Sequence, residues 1–174
     1  MGAFWNGAKL DISTTGYYLL LPLMGIIPGV ILTGNWFRLF VRWYTYFMIV
    51  FSSLIIVSDA NLYSYWGFRM DYTPMLYLKT PREAFASVTT FKIIQLLCSI
   101  MIMSACYIFI YKKFIDRLFL GFKKIRYQIA GLLLFIVLWG ALIIPIRGGF
   151  GLAPINAGTV YFSNKMFLNH AAIN

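Results

Sequence analysis

Four apolar runs without a single formal charge dominate this chain. Residues 12–37, 43–58, 93–111 and 127–146 contain no Asp, Glu, Lys or Arg, and a charged side chain bounds each run at both ends. A bilayer core about 30 Å thick is crossed by about 20 helical residues. A soluble fold of 174 residues has no use for four such runs. The expected protein is therefore an integral membrane protein: an all-α, polytopic transmembrane bundle of four spans.

Composition agrees. The chain is 61% hydrophobic and 19% aromatic, against roughly 45–50% apolar in soluble proteins. The aromatic side chains gather near the run ends, as interfacial belts require. A net charge of +10 could signal nucleic-acid binding, but the basic residues sit in short loops between apolar runs. Topology and anionic lipid contacts account for that distribution, so no nucleic-acid partner is expected. Cys98 and Cys106 both fall in the third run. Eight residues apart on one helix they are too distant to bridge, and read as small packing residues. The first 13 residues lack the basic and apolar regions of a signal peptide, and Asn6 disfavours a myristoylation signal.

The first span covers about 15–34 and should be kinked by Pro22 and Pro28, with Gly34-Asn35 as terminator. The second covers about 37–58. Only 16 residues separate Arg42 from Asp59, about 24 Å of helix, so Arg42 is expected to snorkel. An outer loop, 59–89, carries short interfacial helices, one expected at 74–79. Thr80-Pro81-Arg82-Glu83 has the form of a capping box and should start a helix at Pro81. Its membrane part is about 90–112. A basic hairpin, 112–126, leads to the fourth span, 127–146, broken by Gly148-Gly149. Residues 1–150 thus form the membrane domain and 151–174 an extracytoplasmic linker, with a surface helix from about Asn156.

The hairpin holds six basic residues and one acid, Asp116. The positive-inside rule makes it cytoplasmic. Arg38 and Arg42 share that side, and both termini lie outside.

Chemistry is sparse. One His and five acids are spread along the chain, which offers no convergent metal site. No hydrolase, protease or nucleotide-binding motif occurs. The spans hold no ionisable group at mid-depth, which disfavours a transporter. Gln95, Ser52, Ser53, Ser99 and Ser104 are expected to hydrogen-bond between helices. One constellation could bind: Arg69, Lys79, Arg82 and Arg147 fall at the outer interface. Arginine forks match phosphate geometry, so this set is the candidate lipid-headgroup site. Tyr63, Tyr65, Trp66, Tyr72 and Tyr77 could wall it.

Several patterns resemble the membrane domain of the lipoteichoic acid synthase family, the phosphoglycerol transferase or sulfatase-like proteins of the alkaline phosphatase superfamily. They are Gly7-Ala8-Lys9-Leu10-Asp11-Ile12-Ser13, then Asp59 with Tyr63 and Gly67-Phe68-Arg69, Tyr77-Leu78 ahead of Pro81 and Glu83, Arg147-Gly148-Gly149, and Asn169-His170-Ala171-Ala172-Ile173-Asn174. Their order and spacing cover nearly the whole chain. The resemblance implies five membrane helices and an extracytoplasmic catalytic domain with a threonine nucleophile and a divalent metal, commonly manganese. Here four spans are expected, with the family's first helix missing before Met1 and the catalytic domain missing after Asn174. No catalytic residue carries over, no cofactor is expected in this chain, and the polypeptide alone is expected to be inactive. The implied role is to anchor a headgroup transferase at the outer leaflet of a bacterial cytoplasmic membrane, with membrane lipids and a catalytic domain as partners. The alternative is a small non-enzymatic membrane protein, transporter-like or an assembly subunit, or an inactive gene fragment.

Overall fold

A computed structural model describes residues 2–25, 36–71, 73–77, 79, 88–116, 128–151 and 153–173. Their regular structure is entirely helical, with no strand. The chain divides into two compact units, Met1–Tyr44 with Phe119–Asn174, and Thr45–Leu118.

Helix α1 spans Gly2–Met24 and helix α2 spans Trp36–Trp66. A five-residue helix, α3, covers Thr73–Tyr77, close to the expected 74–79. Helix α4, Thr90–Ile110, runs on through a π-helical turn, Tyr111–Ile115. Helices α5 (Gln128–Ala141) and α6 (Ile143–Arg147) follow. The tail holds a 3₁₀ turn at Ala157–Val160 and helix α7 at Met166–His170. Two of these helices, α2 and α4 with its π turn, are long and apolar enough to cross a membrane. The apolar stretch Gly131–Arg147 is shorter. The second half of the expected first span, 26–35, lies outside the described residues.

In the Thr45–Leu118 unit, α2 and α4 form an antiparallel hairpin. At one end Lys92 Nζ lies over the Tyr65 ring, 5.9 Å from its centroid. At the other, Tyr111 meets Tyr46 edge-on with centroids 5.8 Å apart, and Lys112 Nζ sits 5.6 Å from the Tyr46 ring centre. The two ends agree in register: Tyr65 lies nineteen residues after Tyr46, and Lys92 nineteen before Tyr111. The same register puts Ser53 and Ser104 at one level near the middle. Both are buried. Neither hydroxyl has a hydrogen-bond partner among the described residues.

The outward faces of this hairpin are apolar. Only 17% of the most apolar window of α2 is buried, and 6% of that of α4. Core helices of water-soluble proteins show the reverse. Phe47, Leu54, Ile94, Met101, Ile102 and Phe109 are all exposed. An apolar surface of this kind normally marks contact with a partner or a membrane.

Several expected boundaries need correction. Helix α2 runs beyond Asp59, the residue at which the expected span closes. It continues about two turns to Trp66, because Asp59 is neutralised by Arg69 and Asn61 Nδ2 donates back to the Val57 carbonyl at 2.8 Å. Gly67 ends it: at φ +70° its N–H donates to the Tyr63 carbonyl at 2.9 Å, a left-handed C-cap that glycine adopts without strain. Helix α4 starts at Thr90 instead of Pro81, since Thr89 is extended (φ −71°, ψ 146°). The capping box at 80–83 lies outside the described residues, as do 117–127 of the basic hairpin. Ser99 Oγ donates to the Gln95 carbonyl of its own helix at 2.9 Å, not to a neighbouring helix. Cys98 and Cys106 are exposed on α4.

In the other unit α1 packs on α6. Ser13 Oγ donates to the Ile146 carbonyl at 2.8 Å, and a Cβ at Gly16 would sit 2.9 Å from Ile146 Cγ1. The tail lies on α1 as well: a Cβ at Gly7 would come 2.8 Å from the Ala172 carbonyl oxygen. These long-range contacts hold a helix that begins at Gly2, ahead of the span expected at 15–34. The fourth apolar run is split at Leu142. Pro145 has no N–H to give the Ala141 carbonyl, the residue at which α5 ends. Gly148 (φ +78°) closes α6. Its N–H bonds the Pro145 carbonyl and the Gly149 N–H bonds the Ile144 carbonyl, both at 2.9 Å, a Schellman stop.

Candidate functional site

Each candidate cation is placed by a distinct local structure. Arg69 follows the Gly67 cap. Its Nη1 forms an ion pair with Asp59 Oδ2. The other Asp59 oxygen accepts the Met70 N–H at 2.7 Å, so one carboxylate fixes two consecutive residues of the returning chain. The Arg69 guanidinium also lies over the Tyr63 ring, 5.4 Å from its centroid. Trp66 and Phe68 stack beside the cap at 5.5 Å. Asp59 and Arg69 are both largely buried, with side-chain exposures of 14% and 22%. The positive charge of Arg69 is thus committed to an internal carboxylate. That geometry clamps the end of α2 to the following loop.

Lys79 is exposed in a turn closed by its N–H to the Leu76 carbonyl at 3.1 Å. Arg82 and Tyr72 lie outside the described residues. Arg147 is the last residue of α6. It is exposed, and its Nη2 donates to the Gly151 carbonyl at 3.3 Å. Arg69 and Lys79 belong to the Thr45–Leu118 unit and Arg147 to the other. Asp71 caps the start of α3, accepting the Thr73 N–H at 2.8 Å. Hydrogen bonds from the Thr73 side chain and backbone hold its carboxyl below the ordinary aspartate range.

The tail is organised by Asn169, which is buried. Its Oδ1 accepts the Phe162 and Ser163 N–H groups, both at 3.0 Å, and its Nδ2 donates to the Ser163 carbonyl at 2.7 Å. Asn156 and Thr159 cap the 3₁₀ turn reciprocally. The single surface helix expected from Asn156 is thus replaced by two short turns. Among the described residues no three His, Cys, Asp or Glu side chains gather as metal ligands.

Two arrangements escaped the sequence reading. One is the Asp59–Arg69 clamp, for which the separation of ten residues gave no helical signal. The other is a cavity at the start of α2 lined by Trp36, Arg38, Leu39 and Arg42. Its signal was legible: two arginines four residues apart share a helix face.

No family model, curated protein or solved structure matches this chain.

Proposed function

We propose that the chain is the membrane-anchoring module of a phospho-headgroup transferase similar to the lipoteichoic acid synthases. Its α2–α4 hairpin and the remaining apolar runs embed it in a bacterial cytoplasmic membrane as a four-span bundle. The Lys112–Arg126 side faces the cytoplasm, and the termini and the Asp59–Arg69 end face out. The observation that supports an anchor is the α2–α4 hairpin. Its outward faces are apolar, its ends are held by Lys92 on Tyr65 and Lys112 on Tyr46, and no charge lies within 43–58 or 93–111. Such a body holds position in lipid and offers no ion path. Tethering a catalytic domain to it raises the local concentration of enzyme at the lipid surface. Lys79 and Arg147, exposed in separate units, are each a candidate headgroup contact, as is Arg82, while Arg69 is held by Asp59.

A domain swap tests this. The chain replaces the membrane domain of an active phosphoglycerol transferase, and lipid headgroup release is measured in membranes. The expected result is a membrane-integrated chimera with lipid turnover well above that of the soluble catalytic domain. A chimera that inserts but turns over lipid no faster than the soluble domain argues for the non-enzymatic alternative.

A further inference from the structure

We propose that Arg38 and Arg42 bind the phosphate of an anionic phospholipid at the end of α2 opposite the Asp59–Arg69 clamp. The two arginines, with Trp36 and Leu39, line an open cavity of about 320 Å³. Arg38 Nε is buried and has no hydrogen-bond partner among the described residues. A buried guanidinium N–H without an acceptor is unfavourable, and a phosphate oxygen supplies that acceptor. Arg42 stands four residues on and adds a second charge on the same face.

The surroundings favour a lipid over a free anion. Trp36 and Leu39 are exposed apolar walls at the cavity, and tryptophan prefers the headgroup level of a bilayer. Arg42 lies about 25 Å of helix from Asp59, near the thickness of a hydrocarbon core. Arg38 and Arg42 give this end of α2 two positive charges one turn apart. Anionic leaflets attract such clusters.

The test uses the full chain released from detergent and titrated by native mass spectrometry. The probes are phosphatidylglycerol, phosphatidylcholine and inorganic phosphate. The wild type is expected to retain phosphatidylglycerol over phosphatidylcholine. R38Q is expected to weaken retention about tenfold, the equivalent of about 1.4 kcal/mol. R38K keeps the charge but loses the fork and Nε, and is expected to recover only part of the loss. K165Q serves as a distant charge control and is expected to bind as the wild type. Circular dichroism checks that each variant keeps its helicity; if R38Q does not, R38K decides. If inorganic phosphate binds in an Arg38-dependent way and displaces the lipid, the site is a phosphate site and the lipid assignment is overturned. Equal phosphatidylglycerol retention by wild type, R38Q and R38K overturns the proposal.

Discussion

Replacing Gly148 by alanine isolates how the last apolar run is stopped and turned into the tail. Gly148 has φ +78°, and a Cβ there would stand 2.6 Å from Ile155 Cβ. Two penalties add. The left-handed backbone costs a non-glycine residue roughly 1–2 kcal/mol. The overlap involves an atom fixed directly to the backbone, so main chain must move, at roughly 1–3 kcal/mol. The sum is about 2–5 kcal/mol, on the order of 10 °C in unfolding temperature for a chain this size. Gly67→Ala provides the comparison: its φ is +70°, with nothing within 4 Å of the added methyl. It should lose only the roughly 1–2 kcal/mol of the backbone term. Thermal unfolding in detergent, followed by far-ultraviolet circular dichroism, reads both. G148A should melt clearly below G67A. Equal losses would refute the claim that the Ile155 contact fixes the tail to the end of α6.

Three further outcomes follow from specific contacts. Asn169→Ala strands the Phe162 and Ser163 amides and the Ser163 carbonyl, at about 1–3 kcal/mol for each group left unsatisfied in burial; limited proteolysis should cut within 161–168 much faster than in the wild type, and an unchanged cleavage rate contradicts the clasp. Ser53→Ala and Ser104→Ala remove buried hydroxyls that lack partners among the described residues, so each variant should match or exceed wild-type stability; a loss above about 1 kcal/mol would reveal a hydrogen bond worth its typical net value. The carboxyl of Asp71 is held low by Thr73. A depressed pKa contributes stability above the unfolded value, and this is lost as pH falls through the folded one. The Thr73 amide resonance should therefore stay constant down to the ordinary aspartate range and shift only below it, whereas a shift at or above that range would exclude the cap.

Long helices were legible because charge-free apolar runs leave few alternatives. Their ends were less so, because each depended on a distant partner. Asp59 looked like a boundary, yet Arg69 cancels its charge and the helix runs on to Trp66. Nothing local in Gly2 to Ser13 marks a helix; Gly7 meets Ala172 and Ser13 meets Ile146, contacts spanning most of the chain. Pro145 could have been read, since a proline four residues after Ala141 predicts the break at Leu142. The tail misled because its pattern suggested a surface helix from about Asn156, whereas the Asn169 amide holds the backbone around Ser163 between two short turns. Among the site residues, charge alone identified the basic side chains. Which of them had a carboxylate partner required the fold.

The central claim is that α2 crosses a bilayer with its Asp59–Arg69 end outside. Cys98 and Cys106 are replaced by alanine, and single cysteines are placed at Ser64 and Phe114, both exposed positions at opposite ends of the hairpin. Intact cells are treated with a membrane-impermeant maleimide, then lysed and treated again. S64C should label on intact cells and F114C only after lysis. Labelling of both positions from the same side would mean that the hairpin does not span the membrane.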